Sequence, residues 1–308
     1  MIIEETKVVV IVVTFNGEGW VDRCFGSLRS SGFPVSTIAV DNASADGTVS
    51  AIKEKYPDVE IIETGANLGF GKANNIGFKK ALQGNADYVF LINQDVWIET
   101  DTIQKLIDAA KTNKDFGVLC PFHLLPGNSK LEWHFSTYIS PEKCPDLYSD
   151  IYFRRTKEIY QLEFVNAAAW LIDKRTLLEV GGFDPLFPHY GEDDDYCNRL
   201  VYKKIKMGVV PSAIITHDIS LKTWEEIKFN FQRQLVFCFI ELKNIRFSYK
   251  YVLYNYTKNR IGKIFNLLVL RKWKELKLMT KIFLVSLTYV GTIYRSREIS
   301  KKAQSYLN

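Results

Sequence analysis

Valine and isoleucine fill every position from Val8 to Val13. A β-branched run without polar alternation predicts a strand buried on both faces, as in a parallel sheet. The apolar spacing then changes to that of one helix face, carried by Val21, Phe25 and Leu28. The same rhythm repeats. Residues 37–40 predict a second strand, 48–55 a helix, 59–62 a strand, 72–82 a helix and 88–92 a strand. Farther on, 164–172 reads as another buried strand, and 209–211 with 214–215 as a strand-like stretch. Strands alternating with helices predict an α/β fold with right-handed crossovers. In such sheets ligands bind beyond the C-terminal strand ends, so those ends are the places to search.

The ends are rich in polar groups. Thr14-Phe15-Asn16 follows the first strand, Asp41-Asn42-Ala43-Ser44 the second, and Asn93-Gln94-Asp95 the fourth apolar run. Carboxylates such as Asp41 and Asp95 at one sheet edge suit a hard divalent cation bridging a diphosphate. An Asp after a strand serves equally as a helix cap or turn former, and for Asp41 both readings stand. Glu192-Asp193-Asp194-Asp195 is the strongest feature. A helix start favours one or two acids. Four in a row repel one another, raise their own pKa values and point to a general base held by its neighbours. His217 ends a strand-like run; on spacing alone it reads first as structural and second as a metal ligand. Glycines in the run 65–72 allow close backbone approach to a phosphate. Gly17-Glu18-Gly19 lacks the third glycine of a dinucleotide fingerprint, which argues against an NAD enzyme.

Composition sharpens this picture in two ways. With 47% hydrophobic residues among 308, the chain buries a large core, and disorder is excluded. Its five cysteines form no Cys-x-x-Cys pair and read as reduced thiols. Glu4 and Glu5 stand where a secretory leader carries base. The longest apolar stretch, 282–293, is 12 residues, short of the roughly 20 that span a bilayer. A cytoplasmic chain is therefore expected, with peripheral attachment to the inner membrane face left open. The net charge of +5 divides unevenly. Residues 219–308 hold 18 Lys and Arg against 5 Asp and Glu, while 1–218 hold 22 against 30. Two parts are expected: a catalytic domain over 1–218 and a basic, aromatic-rich helical region over 219–308, with helices near 224–242 and 273–294. Such a region suits contact with an anionic membrane, or equally a helical cap that supports a homodimer. Nucleic acid is not an expected partner, since the acidic first part repels a polyanion.

These blocks, in this order, resemble glycosyltransferase family 2, inverting enzymes with the GT-A fold. The resemblance spans about residues 7–218. It rests on Val12-Val13-Thr14-Phe15-Asn16, Val40 to Thr48, Asn67-Leu68-Gly69-Phe70-Gly71-Lys72-Ala73-Asn74-Asn75-Ile76-Gly77, Asn93-Gln94-Asp95, Gly181-Gly182-Phe183-Asp184, Gly191 to Asp195, and His217. It implies a Rossmann-like, mostly parallel sheet with flanking helices. The Asn-Leu-Gly-Phe block is similar to a branch containing many rhamnosyltransferases and some galactofuranosyltransferases of bacterial surface polysaccharides.

Position by position, the resemblance implies that Phe15 stacks on the donor base and Asp41 accepts a hydrogen bond from it. Lys72 reaches the nucleotide, with Thr14, Asn16, Gly69, Asn93 and Gln94 completing its site. Asp95 matches the second acid of Asp-x-Asp, binding Mg²⁺ or Mn²⁺ with His217. Asp193 matches the catalytic base and Glu192 its partner. The first acid of that motif is replaced by Asn93, which reduces the charge on the metal. The implied reaction moves rhamnose from dTDP-rhamnose to a hydroxyl of a polysaccharide or lipid-linked saccharide. Alternatives are a UDP-galactofuranose or UDP-hexose donor, and a non-catalytic nucleotide-sugar scaffold. The Gln-x-x-Arg-Trp motif of processive synthases is absent, so one sugar per acceptor is expected. Residues 122–163 are expected to contribute to the acceptor pocket.

Overall fold

The computed structural model describes residues 6–128, 130–219 and 228–307. The expectations placed on residues 1–5 and 224–227 lie outside the described residues. The first half of the chain follows the predicted rhythm. Strands β1 (Val8–Thr14), β2 (Val35–Asp41), β3 (Glu60–Glu63) and β4 (Tyr88–Asn93) alternate with α1 (Val21–Arg29), α2 (Thr48–Lys55) and α3 (Phe70–Gln83). All seven residues of β1 are buried.

The pleat explains why the run tolerates no polar residue. Val9, Ile11 and Val13 face one layer, against Ala73 and Phe78 of α3 and Trp170. Val8, Val10 and Val12 face the other, against Cys24, Phe25 and Leu28 of α1. Each such burial contributes about 1.5–3 kcal/mol.

The second half adds β5 (Val96–Ile98), α4 (Thr102–Thr112), β6 (Phe116–Leu124), α5 (Trp133–Tyr138), α6 (Leu147–Tyr152) and β7 (Tyr160–Leu162). It continues through β8 (Ala169–Asp173), α7 (Lys174–Val180), α8 (Glu192–Tyr202) and β9 (Lys206–His217). The sheet order is β3-β2-β1-β4-β8-β6-β9-β5, with β7 on β9. Pairings among β1 to β4 are parallel. Strand β8 enters antiparallel to β4 and β6, and β5 and β7 antiparallel to β9. The α/β layering stands: β6 and β9 also pair in parallel, and the antiparallel entries of β8, β5 and β7 make the sheet mixed.

Three predicted elements change. The strand read over 164–172 starts only at Ala169, after an irregular segment that approaches α8. The helix read over 224–242 breaks at Asn230, whose side chain caps α9 (Phe231–Lys243) by accepting from Arg233 N. The helix read over 273–294 is two helices, α11 (Trp273–Thr288) and α12 (Val290–Ser300), bent by 58° at Tyr289. Among the described residues no single helix is long and apolar enough to cross a membrane.

Helices α9, α10 (Tyr249–Val269), α11 and α12 enclose a cluster of Leu235, Cys238, Phe239, Leu242, Tyr256, Ile282 and Ile293, joined by Phe187. Polar bonds fasten these helices to the preceding part. Lys243 donates to Asp195 at 2.8 Å and pairs with Asp184 at 3.0 Å, all three nearly solvent-free. Tyr306 and Ser296 also donate to Asp184. Burial would raise the Asp184 pKa, but Lys243 and Ser296 hold it below the usual carboxylate range. The last turn covers Gly181 (φ +90°), where a Cβ would lie 2.0 Å from Ser305 O. All five cysteines are buried and unpaired.

Candidate active site

Strand register brings the polar ends to one edge. Thr14 lies beside Asp41 in β1–β2, and Val13 beside Asn93 in β1–β4. The Thr14 hydroxyl donates to Asp41 Oδ1 at 2.9 Å, and Ser44 donates to the same carboxylate from its amide (2.9 Å) and hydroxyl (2.6 Å). Asp41 is thus buried and anchored, with its edge turned towards the loop. Asn16, at φ +47°, accepts from Ala45 N at 2.8 Å. Gln94 grips the Phe15 backbone at both groups, accepting at 2.9 Å and donating at 3.1 Å. The Phe15 ring remains 41% exposed over this edge, a large apolar surface that the fold itself leaves uncovered.

The loop before α3 forms the next wall. Asn42 accepts from Leu68 N at 2.7 Å, and Asn67 accepts from Asn42 and Gly69 N at 3.0 Å each. Gly69 (φ +84°) passes so close to Pro188 that a Cβ would sit 1.9 Å from its carbonyl oxygen. Only glycine fits there. Lys72 stands exposed on the first turn of α3.

Asp95 and His217 meet where β5 pairs with β9. His217 Nε2 lies 3.5 Å from Asp95 Oδ1, too long for a hydrogen bond, and both side chains are partly or wholly buried. Asn93 Oδ1, Asp95 Oδ1 and His217 Nδ1 are buried polar atoms without a hydrogen-bond partner. Grouped orphans of this kind call for a cation or other polar group to satisfy them. Behind them, His123, Glu132 and His217 hold ligand atoms within 4.8 Å of one another, all buried. Both His123 ring nitrogens are unpartnered, and burial with the nearby His217 pushes its pKa well down, so it is a neutral imidazole. Glu132 accepts from the His134 and Phe135 amides at 2.8 Å each. This donor set fits a divalent cation, and its nitrogen content favours a transition metal.

The acidic run opens α8, as a helix start should, but its four members diverge. Asp195 is consumed by Arg199 Nε at 2.8 Å and by Lys243. Glu192 is buried with Oε2 unpartnered, and burial with the adjacent Asp193 pushes its pKa up to about 8. Asp194 rises to about 7 for the same reasons. Asp193 is raised by burial, and the Asp194 and Ala167 amides and Arg233 partly restore its charge. Ala168, next to Ala167, accepts from Asn93 N at 2.9 Å, which ties Asp193 to the Asn93–Asp95 edge.

Sequence reasoning missed three contributors. Arg233 of α9 stacks 3.4 Å above the Tyr190 ring and offsets charge on Glu192, Asp193 and Asp194. Tyr138 of α5 lies close enough to Asp193 that the carboxylate adds to the burial raising its pKa. His123 is the third. Tyr138 and Arg233 sit on helices with no local sign of these roles, and the isolated polar residue in the apolar run 118–124 is the one signal for His123.

The family model described as glycosyl transferase family 2 matches residues 9–180. An N-acetylglucosaminyl-diphospho-decaprenol L-rhamnosyltransferase of Mycobacterium tuberculosis is 29% identical over 236 residues, covering 68% of this chain and 75% of that protein. Among solved structures, the mannosyltransferase PcManGT from Pyrobaculum calidifontis, in complex with GDP-Man and Mn²⁺, aligns with TM-score 0.58. It is 15% identical, over 99% of this chain and 86% of that one. S. aureus TarS 1-349 in complex with UDP aligns with TM-score 0.55 and 13% identity, over 96% and 90%. In another TarS structure, with TM-score 0.52 and 17% identity, the alignment covers 80% of this chain and spans 41% of that one. These likenesses show the GT-A fold.

Proposed function

The chain belongs to glycosyl transferase family 2, and we propose that it is an inverting transferase moving one sugar from a nucleoside diphosphate to a saccharide hydroxyl. The observation that carries this reading is the single sheet edge where Phe15, Asp41, Asp95, His217 and the α8 carboxylates converge. Phe15 stacks on the donor base, while Thr14 and Ser44 hold Asp41 ready to accept from that base. The loop through Asn16, Gly69, Asn93 and Gln94, with Lys72, lines the nucleotide. Asp193 removes the proton from the acceptor hydroxyl as its oxygen attacks the anomeric carbon from the face opposite the diphosphate. Burial and the adjacent Asp193 push the Glu192 pKa up to about 8, which favours a proton on Glu192 and lessens the charge facing Asp193. Asp95 and His217 would hold Mn²⁺ or Mg²⁺, whose charge neutralises the departing diphosphate.

The donor assigned here is dTDP-rhamnose, supported by the rhamnosyltransferase relative. A UDP-sugar is the second reading, supported by the UDP-bound neighbour of the same fold. The acceptor is a saccharide carried on a polysaccharide or lipid. The helical part, described over residues 228–307, completes the site through Arg233. The assigned setting is the cytoplasmic face of a membrane.

A thermal-shift screen of nucleotide sugars with Mn²⁺, followed by turnover of the stabilising donor, tests this reading. A ligand that binds only the folded state raises its stability in proportion to affinity. Stabilisation by dTDP-rhamnose together with dTDP release is the expected result. Binding without any release of nucleotide, with acceptor or water, favours the scaffold instead.

A further inference from the structure

We propose that the turn joining α10 to α11 is a docking surface for an anionic phospholipid bilayer. From residue 258 to 277 the chain projects from the helical part. Only Arg260, Ile264, Leu267, Glu275 and Leu276 in this stretch are even half-buried. A projecting hairpin in water should expose polar groups. This one exposes Ile261, Phe265, Leu268, Val269, Leu270 and Trp273, with Phe265 at 65% and Val269 at 62%. Positions 261, 265, 268 and 269 share one helix face, and Leu270 and Trp273 extend it around the turn. A contiguous apolar patch on an otherwise polar surface marks an interaction site.

Charge decides the occupant. The same 20 residues carry seven Lys and Arg against one Glu. Glu275 is paired with Lys228 at 3.4 Å and Arg260 with Glu241 at 2.9 Å, so neither meets the partner as a free charge. Lys258, Lys263, Arg271, Lys272, Lys274 and Lys277 remain exposed around the apolar tip. Apolar side chains surrounded by bases, with a Trp at the border, match the headgroup–acyl boundary of an anionic leaflet. The buried faces of α11 and α12, through Ile282 and Ile293, are occupied by the protein's own core, so contact is made by the tip and these helices do not span the bilayer.

The patch also has a fixed relation to the chemistry. Lys274 Nζ lies 4.1 Å from the Phe229 ring, and Phe229 stands immediately before the Asn230 cap of α9, the helix that carries Arg233. Docking at the tip therefore presents the Arg233 side of the site to the bilayer, where a lipid-linked acceptor would be held. That last clause rests on the proposed function; the membrane contact does not.

Co-sedimentation of the full chain with phosphatidylcholine vesicles, with and without phosphatidylglycerol, tests the surface. Two triple variants serve as comparisons: Phe265→Ser/Leu268→Ser/Trp273→Ser and Lys263→Glu/Arg271→Glu/Lys272→Glu. All six positions are exposed, so both variants should fold. Each base near the surface is worth about fivefold in binding. The expected result is binding to the anionic vesicles that weakens in high salt and falls by roughly 100-fold in the charge variant. The apolar variant should lose binding to a similar degree. Nucleotide release from donor in the absence of vesicles should be unchanged in both, so loss of membrane contact is distinguishable from failure of the transferase reading. Vesicle binding by either variant equal to that of the parent chain overturns the proposal. Failure of the parent chain to bind, or a patch variant that turns a dimer into a monomer without affecting vesicle binding, also overturns it and assigns the patch elsewhere.

Discussion

Lys243 donates to Asp195 at 2.8 Å across 48 residues of sequence, and both side chains are almost completely removed from water. This bond takes one acid of the run 192–195 out of contention for catalysis and makes it a fastening for the helical part. The same ammonium satisfies Asp184 and Ser300. Removing it leaves two buried carboxylates with Arg199 as their one remaining salt-bridge partner among the described residues, and an uncompensated buried charge typically costs about 3–5 kcal/mol. Lys243→Met should therefore lower unfolding free energy by about that amount in urea. A loss within error of zero would mean the ion cluster is not held as described.

Glu192 gives a pH signature. Its carboxyl ordinarily titrates near 4.5 and is pushed up to about 8 in the fold. Between those values the folded chain holds a proton that the unfolded chain has released, so stability falls as pH rises through this window. Glu192→Gln abolishes that term. The variant should gain melting temperature relative to the parent at pH 8 and little at pH 4, read by calorimetry at both.

Asp193→Asn should lower turnover by about 10²–10⁴-fold while donor binding, measured by calorimetry, persists. Burial raises the Asp193 pKa, so the parent rate should climb as pH rises through its titration and level off above it. Asp195→Asn should instead unfold the protein more readily. Equal rates for Asp193→Asn and the parent would remove Asp193 from the mechanism.

Metal affinity separates the two layers of ligands. Mn²⁺ binding, followed by electron paramagnetic resonance, should weaken at least about tenfold in Asp95→Ala and His217→Ala, since lost ligands or their supports typically cost 10–100-fold. His123→Phe preserves stacking on Phe135, whose ring lies 4.5 Å away, and tests whether the rear imidazole also contributes. A similar loss there identifies it as a ligand; unchanged affinity confines the cation to Asp95 and His217.

Gly69→Ala places a methyl group against the Pro188 carbonyl in a backbone region reserved for glycine. A strained residue of this kind costs about 1–3 kcal/mol. If the loop lines the nucleotide as proposed, donor affinity should fall together with stability. Thermal melting with and without donor measures both effects.

The parallel half of the fold was legible because its signals are local: the run 8–13, the helix spacing after it and the polar strand ends. The mixed half was not, since β5 and β7 are three residues each and their pairing partners lie far along the chain. Site residues that follow strands were readable for the same reason as the strands. His123, Tyr138 and Arg233 come from a strand interior, a short helix and the basic helical part, and only tertiary contacts bring them near Asp193 or His217. Four adjacent acids looked alike in sequence and were separated by their partners: Asp195 by Lys243 and Arg199, Glu192 by burial without a partner.

Tyr306 bonds to Asp184 from 122 residues further along the chain, beside the turn where Ser305 covers Gly181. During synthesis the segment between α7 and α8 therefore leaves the ribosome long before its covering exists. Lys243 emerges first and Tyr306 last, so Asp184 acquires its buried partners in two stages. The order of translation thus places the final bonds to Asp184 after the segment they brace has been made.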